Sequence, residues 1–235
     1  NKYADLAYEQ ASEMYERSPD NYNTLLFVAA CSLKGRILQD EKKYQEAKEN
    51  YELWLNLSKK LYQHDPYTSM YVLESAYFEY ARILSNLYLY QDAVENYRSA
   101  VELSRKLYEI NPVGEAIILS SRLHCYGNVL RNIYRFEDAL SVHKEAVTIR
   151  KGLLGRDDVH IWNVLFSSRS LAEDLSDLEM YDEADKVYLE CIELSEKSAI
   201  ENPEKYNREP ILSKRNYAWF LNDIGRSDEA KQISD

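Results

Sequence analysis

The chain has few of the residues that make turns. Only six of its 235 residues are glycine and five are proline. Average usage is roughly 7% for glycine and 5% for proline, so both residues are scarce. With so little material for turns, the sequence favours long helices joined by short connections. Hydrophobic residues make up 45% of the chain and charged residues 29%, which is typical of a globular protein.

Cysteine and long apolar runs are also scarce. The three cysteines, Cys31, Cys125 and Cys191, are far apart and odd in number. This pattern favours reduced thiols in a protein core over a disulfide framework or a zinc site, and it indicates a reducing compartment. No stretch approaches the roughly 20 apolar residues of a membrane helix, and the first residues lack the charged-then-apolar pattern of a secretory signal peptide. We therefore expect a soluble, cytoplasmic protein that does not bind membranes.

Basic residues are outnumbered by acidic ones. Lysine and arginine total 29 against 40 aspartates and glutamates, which gives a net charge of −11 at pH 7. That sign is wrong for a protein that binds nucleic acid by neutralising phosphates. We expect no nucleic-acid partner, although a local basic patch on the surface stays open.

Motifs for catalysis and metal binding are missing from the sequence. No glycine-rich phosphate loop, nucleophile elbow or Cys/His signature occurs, and the Gly152–Gly155 pair lacks the lysine and the strand of a nucleotide site. The four histidines have neither i, i+4 spacing nor the neighbouring ligands typical of zinc: His64, His124, His143 and His160. We expect the chain not to be an enzyme and to hold no metal and no cofactor.

A repeated pattern is the strongest feature that is present. A Tyr-Gln-Glu-Ala-like segment occurs five times, at offsets of 46, 46, 45 and 46 residues. Nine residues before each copy stands a small residue, where one helix must pass close to another. Three residues after each small residue stands a leucine. The small residues are Gly35, Ala81, Gly127, Ala172 and Ala218, and the leucines are Leu38, Leu84, Leu130, Leu175 and Leu221.

Between the copies the chain has the apolar spacing of a second, amphipathic helix. This helix ends at Asp65-Pro66, Asn111-Pro112 or Asn202-Pro203, because proline disfavours helical geometry in the residue before it. In the third copy the segment 152–158 contains two glycines and no proline, so we expect an irregular loop there. The predicted helices cover 3–17, 21–40, 43–64, 67–88, 90–110, 114–134, 136–153, 158–179, 181–201, 206–224 and 227–233.

These helices predict an all-α fold in one domain over 1–235. Each helix pair cannot bury its apolar face alone, so we expect antiparallel pairs stacked into a right-handed superhelical solenoid with the first helices on its concave side. Because the chain opens with Asn1, we expect a fragment of a longer protein. The predicted units are a half repeat 1–19, repeats 20–66, 67–112, 113–157 and 158–203, and a partial repeat 204–235.

The order of these residues resembles the tetratricopeptide repeat (TPR) family. Twelve residues after the small residue stands an alanine, and four later an aromatic residue, Tyr51, Tyr97 or Tyr188. In the third copy His143 replaces that aromatic residue. The proline comes about two helical turns late, which is similar to the elongated repeats of kinesin light chains and of bacterial and fungal signalling proteins. The resemblance implies a TPR-like solenoid that binds a peptide or protein, or that couples sensing to an attached effector domain.

In TPR proteins the ligand usually lies along the inner faces of the first helices. The resemblance places ten candidate residues in such a groove: Arg36, Phe78, Arg82, His124, Asn128, Arg131, Asn132, Arg169, Arg215 and Trp219. Five of these are arginines, whose planar guanidinium groups suit carboxylates or phosphates, and the asparagines suit a peptide backbone. An acidic peptide is the specific hypothesis. The alternative is that the arginines pair with acids on adjacent helices: Asp40, Glu79, Glu173 and Asp177.

Three functions therefore compete. The first is a protein- or peptide-binding scaffold or adaptor that uses the groove, with binding that salt weakens if the arginines contribute. The second is a regulatory sensor inside a larger multidomain signalling protein. The third is structural self-association through apolar helix faces that a capping repeat would cover.

Overall fold

The computed structural model describes residues 2–156 and 161–234, and the regular elements in these ranges are α-helices. Our predictions for Asp157, Asp158 and His160 lie outside the described residues. The twelve helices of the described ranges are α1 Lys2–Arg17, α2 Asn21–Asp40, α3 Tyr44–His64, α4 Pro66–Asn86, α5 Tyr90–Ile110, α6 Pro112–Asn132, α7 Phe136–Gly152, α8 Ile161–Asp177, α9 Tyr181–Glu201, α10 Pro203–Tyr206, α11 Glu209–Asp223 and α12 Ser227–Ser234.

The chain forms two compact units, Asn1–Glu115 and Ala116–Asp235. In the first unit, α1 to α5 pack in sequence, each against the next. In the second unit, α7 packs on α8, α8 on α9, and α9 on both α10 and α11. Helix α11 packs on α12 and also contacts α8, so two first helices of successive pairs lie side by side. The all-α fold of consecutive helix pairs is confirmed.

Proline begins a helix in this chain, whereas the sequence predicted only that proline ends the preceding one. Pro66 and Pro203 occupy the first turns of α4 and α10, where a missing N–H costs nothing. The single residue between two helices caps the second one. Asp65 Oδ1 accepts from the backbone N–H of Tyr67 at 3.2 Å, and Asn202 Oδ1 accepts from that of Lys205 at 3.3 Å. The predicted starts at 67 and 114 were therefore one or two residues late.

The predicted helix over 206–224 is wrong at its beginning. The chain forms a short helix, Pro203–Tyr206, and then starts again as Glu209–Asp223. Pro210 stands in the first turn of α11 and lacks an N–H for a continuous helix, so the chain breaks before it. The expected interruption after α7 is confirmed up to Arg156, because α7 ends at Gly152 and Gly155 has a positive φ of 94°.

The turn within each helix pair follows one design. The repeat leucine accepts a hydrogen bond from the N–H five residues later, which closes the helix end in a Schellman-type turn. The N···O distances are 2.8 Å at Leu38, 2.9 Å at Leu84, 3.0 Å at Leu130, 2.8 Å at Leu175 and 2.7 Å at Leu221. The residue before that donor has a positive φ: Lys42, Tyr88, Tyr134, Glu179 and Gly225.

The small residue of the repeat lies where two helices approach closely, as predicted. A Cβ added to Gly35 would stand 2.2 Å from the ring of Tyr51, and one added to Gly127 would stand 2.3 Å from Nε2 of His143. Tyr51 and His143 occupy the aromatic position of the repeat and are fully buried. In these two pairs, the glycine of the first helix therefore packs directly against the ring of the second helix.

Candidate partner-binding surface of the second unit

Three of the five predicted groove arginines lie beside acids. Arg82 Nε donates to Glu79 at 2.9 Å and its Nη2 donates to Gln39 at 3.2 Å. Arg131 contacts three acids, at 2.5 Å to Glu173, 2.8 Å to Asp177 and 3.2 Å to Asp174. Arg169 Nε lies 3.1 Å from Glu173. Only Arg131 pairs with acids of an adjacent helix, as the alternative predicted, because Glu79 and Glu173 lie on the same helices as Arg82 and Arg169. Asp40 pairs with none of the five in the described ranges.

The other two arginines, Arg36 and Arg215, are exposed and pair with no acid among the described residues. The Arg215 guanidinium lies over the ring of Trp219, 5.0 Å from its centroid. In the same way Arg169 lies 5.3 Å from the centroid of Phe166. Such cation–π contacts hold a guanidinium flat on an aromatic ring while its edge N–H groups stay free for an acceptor.

Two predicted groove residues are buried. Phe78 packs 5.6 Å from the ring of Tyr97, and the His124 ring lies 4.8 Å from Phe166. Asn128 Nδ2 donates to His124 Nε2 at 3.1 Å, and burial lowers the pKa of His124 to about 3, so the ring is neutral. Phe78 and His124 therefore pack against neighbouring aromatic rings and are not exposed to a ligand. Asn132 is exposed at the end of α6.

Two cavities adjoin on the first-helix faces of the second unit, between α8 and α11. One has a volume of about 220 Å³ and is lined by aromatic, apolar and arginine side chains, including Trp162, Phe166, Arg169, Leu212 and Arg215. The other has about 390 Å³ and is lined by aromatic residues, among them Trp219, and by polar and charged groups that include three carboxylates: Glu173, Asp177 and Asp223. Arg169, Tyr188 and Asn216 line both. We call the face formed by Trp162, Phe166, Arg169, Arg215 and Trp219 the α8–α11 surface.

Sequence reasoning identified only part of this surface. Trp162 and Phe166 precede Arg169 by seven and three residues and so share its face of the helix. Both are exposed, Trp162 to 52%. The helical spacing could have revealed them, but the predicted groove used only positions close to the small residue. Of the predicted groove residues, the structure places Arg169, Arg215 and Trp219 on this surface and Arg131 beside it.

The thiols of Cys31 and Cys191 are buried, as the sequence analysis expected for core cysteines. Burial raises the pKa of Cys31 to about 12 and that of Cys191 to about 11, so both thiols stay protonated and unreactive. Within the described ranges no three His, Cys, Asp or Glu side chains come together as metal ligands. No described helix is both long and apolar enough to cross a bilayer.

Comparison with known families and structures agrees with the helix pairing. Two models, both described as tetratricopeptide repeat, match residues 120–160 in one case and residues 28–61, 74–107 and 171–198 in the other. Together these segments cover more than half of the chain. No curated protein sequence matches the chain significantly.

Two solved structures have a similar fold. BtubC (BKLC) from P. vanneervenii superposes with a TM-score of 0.68 at 17% identity, over 99% of this chain and 88% of that one. A kinesin light chain-type protein of Podosopora anserina with nearly identical TPR-like repeats superposes with a TM-score of 0.70 at 20% identity, over 88% of this chain and 90% of that one. At these identities the likeness shows the fold.

Proposed function

This chain belongs to the tetratricopeptide repeat family, and we propose that it is a scaffold whose α8–α11 surface holds an acidic segment of a partner protein. Repeats of this family generally mediate protein–protein interaction and scaffolding. The proposal goes further by naming the surface and the chemistry of the segment. It rests on one observation: exposed aromatic rings and arginines stacked on them line two adjoining cavities.

The aromatic part of the surface supports binding to a protein segment. Trp219 is 57% exposed and Trp162 52% exposed, next to Phe166 and Leu212, which are also exposed. Water covers these large apolar groups in the free chain, and a partner that displaces it gains free energy. Tryptophan and arginine are also the residues enriched among those that dominate binding energy at interfaces.

The arginines support a carboxylate in that segment. Arg215 has no acidic partner in the described ranges, so its donors are available to a ligand. Arg169 Nε is buried and makes no hydrogen bond, although Glu173 lies 3.1 Å away, because the N–H does not point at that oxygen. A partner carboxylate on the exposed Arg215 guanidinium would receive charge-assisted hydrogen bonds that the free chain does not make.

A selection experiment tests this function. A library of random peptides would be selected on the wild-type chain and, in parallel, on the double variant Arg215→Gln, Trp219→Ala. The control is Lys197→Gln, Ile200→Ala, which changes an exposed cation and an exposed apolar residue on α9. We expect peptides enriched in Asp and Glu from the wild type and the control, and not from the double variant. Equal enrichment on all three proteins would place binding elsewhere.

A further inference from the structure

One buried arginine departs from the pattern of its repeat. Eleven residues after the repeat alanine, the other complete copies carry a serine, and each of these serines is buried: Ser58, Ser104 and Ser195. The third copy has Arg150 at this position, and its side chain is also buried, with 7% exposure. A guanidinium therefore occupies the place where the neighbouring repeats have a small hydroxyl.

The groups around Arg150 are neutral. Its Nη1 donates to the backbone carbonyl of Asn163 at 3.0 Å and to the hydroxyl of Ser167. Its Nε lies 3.4 Å from Ser120 Oγ and its Nη2 lies 3.5 Å from Ser121 Oγ. Burial lowers the pKa of Arg150, and the nearby Cys125 thiol opposes that change. No carboxylate of the described residues pairs with this cation.

This arrangement satisfies hydrogen bonds without balancing the charge. Removing an ion from water costs several kcal/mol unless an opposite charge accompanies it. Hydroxyl and carbonyl groups accept from the guanidinium, but they carry no net charge. The contacts from Arg150 to Ser120 and Ser121 are also longer than the usual 2.7–3.2 Å for N–H···O bonds. Each of these two hydroxyls donates to the backbone carbonyl of Ile117, at 3.0 Å from Ser120 and 2.9 Å from Ser121.

The same groups form a donor set for an anion. The Ser167 hydroxyl can donate to an anion, and those of Ser120 and Ser121 can do so by rotating away from the Ile117 carbonyl. The guanidinium offers parallel N–H groups that match two oxygens of a carboxylate or a phosphate. Ser121 and Asn163 are only partly buried, on α6 and α8 respectively, so the cluster opens toward solvent between these two helices. A small anion that enters there would reach the charge that the chain leaves unbalanced.

We propose that Arg150, with the hydroxyls of Ser120, Ser121 and Ser167, binds one small oxyanion. The ligand is a carboxylate, such as an acidic side chain, or a free phosphate, since both present oxygens that accept from the guanidinium and the hydroxyls. This site is separate from the α8–α11 surface and does not require that surface to bind a partner.

Thermal unfolding in different anions tests the site. The wild-type chain would be melted in chloride, acetate and inorganic phosphate at constant ionic strength and pH. Acetate or phosphate is expected to raise the Tm saturably above its value in chloride, since a ligand that binds only the folded state stabilises it. A rise with phosphate alone assigns free phosphate as the ligand, and a rise with both anions assigns a carboxylate-compatible site. No saturable rise with either anion overturns the proposal.

Variants separate this site from general salt effects. Arg150→Ser introduces the residue of the other repeats and should lose the saturable rise, whereas Arg98→Ser, which removes an exposed arginine on α5, should keep it. If Arg150→Ser does not fold, Ser121→Ala keeps the arginine and removes one half-buried donor. That variant should raise the half-saturating anion concentration by about tenfold, because it loses one hydrogen bond to the charged ligand. Unchanged saturation in Arg150→Ser, or in Ser121→Ala if Arg150→Ser does not fold, would contradict the assignment.

Discussion

His143 Nδ1 lies 2.5 Å from Asp174 Oδ2, and neither side chain is exposed. The other ring nitrogen, Nε2, donates to the backbone carbonyl of His124 at 3.2 Å. Both nitrogens thus face oxygens, so the proton between His143 and Asp174 makes either an imidazolium with a carboxylate or a neutral ring with a carboxylic acid. Asp174 also lies 3.2 Å from Arg131 Nε, which joins the buried pair to the edge of the α8–α11 surface.

The first prediction concerns this pair. Asp174→Asn should lower the free energy of unfolding by roughly 3–5 kcal/mol, because it leaves a buried partner without its counterpart. His143→Phe should also destabilise, since Asp174 would then remain buried with only Arg131 beside it. The double variant His143→Phe, Asp174→Asn should lose less than the sum of the two single variants. Urea unfolding measures all three, with the exposed Asp182→Asn as the control. Additive losses would show that the pair does not act as a unit.

The second prediction concerns pH. Burial lowers the pKa of His124 to about 3, while an unfolded histidine has a pKa of about 6.5. Between these values the unfolded chain binds a proton that the folded chain does not, so the free energy of unfolding falls as the pH is lowered below about 6.5. Asp174 acts in the opposite sense, because burial raises its pKa and favours the protonated folded form.

His124→Phe isolates the histidine contribution, since Phe78 is the corresponding residue of the second repeat. The variant should show a smaller loss of stability between pH 6.5 and 4.5 than the wild type, measured by urea unfolding at a series of pH values. An identical slope in both proteins would mean that His124 is protonated in the folded chain.

The third prediction concerns the turns within the helix pairs. Lys42 and Glu179 have φ values of 60° and 58°, which lie in the left-handed region that residues with a Cβ atom rarely adopt. The fifth copy has Gly225 at this place with a φ of 82°. Glu179→Gly should therefore raise the free energy of unfolding by about 0.5–1 kcal/mol, and Gly225→Ala should lower it by a similar amount. Thermal unfolding of both variants checks the sign, and a loss of stability in Glu179→Gly would contradict it.

The fourth prediction concerns the close approach of helices. Gly35→Ala should destabilise by about 1–3 kcal/mol, because the new Cβ would stand 2.2 Å from the buried ring of Tyr51. Gly152→Ala is the matched control, since nothing lies within 4 Å of its added Cβ and the residue ends α7. Denaturant unfolding of the two variants makes the comparison. Equal stability would show that the α2 and α3 backbones separate easily.

Local patterns predicted the helices well. The apolar period and the recurring small residue, leucine and alanine were sufficient to place each pair, because each depends on residues a few positions apart. The sequence predicted that these prolines end a helix, but not that they begin the next one. The Asp-Pro and Asn-Pro steps end one helix, but their capping side chains also begin the next one, with no loop between.

The candidate site was less predictable, because its features depend on distant residues. Whether Arg131 is free or paired is decided by Glu173 and Asp177, about one repeat away. The burial of His124 depends on Phe166 and His143. By contrast, Trp162 was within reach of sequence reasoning, since it lies on the same helical face as Arg169.

The measurement that tests the central claim most directly is the affinity of a selected acidic peptide for single variants, by fluorescence anisotropy at several salt concentrations. Trp219→Ala should weaken binding by about tenfold or more, as at a dominant interface residue. Arg215→Gln should weaken binding and also reduce its salt dependence. Ile200→Ala should bind as the wild type does. Unchanged affinity in both Trp219→Ala and Arg215→Gln would contradict the claim that the α8–α11 surface holds the partner.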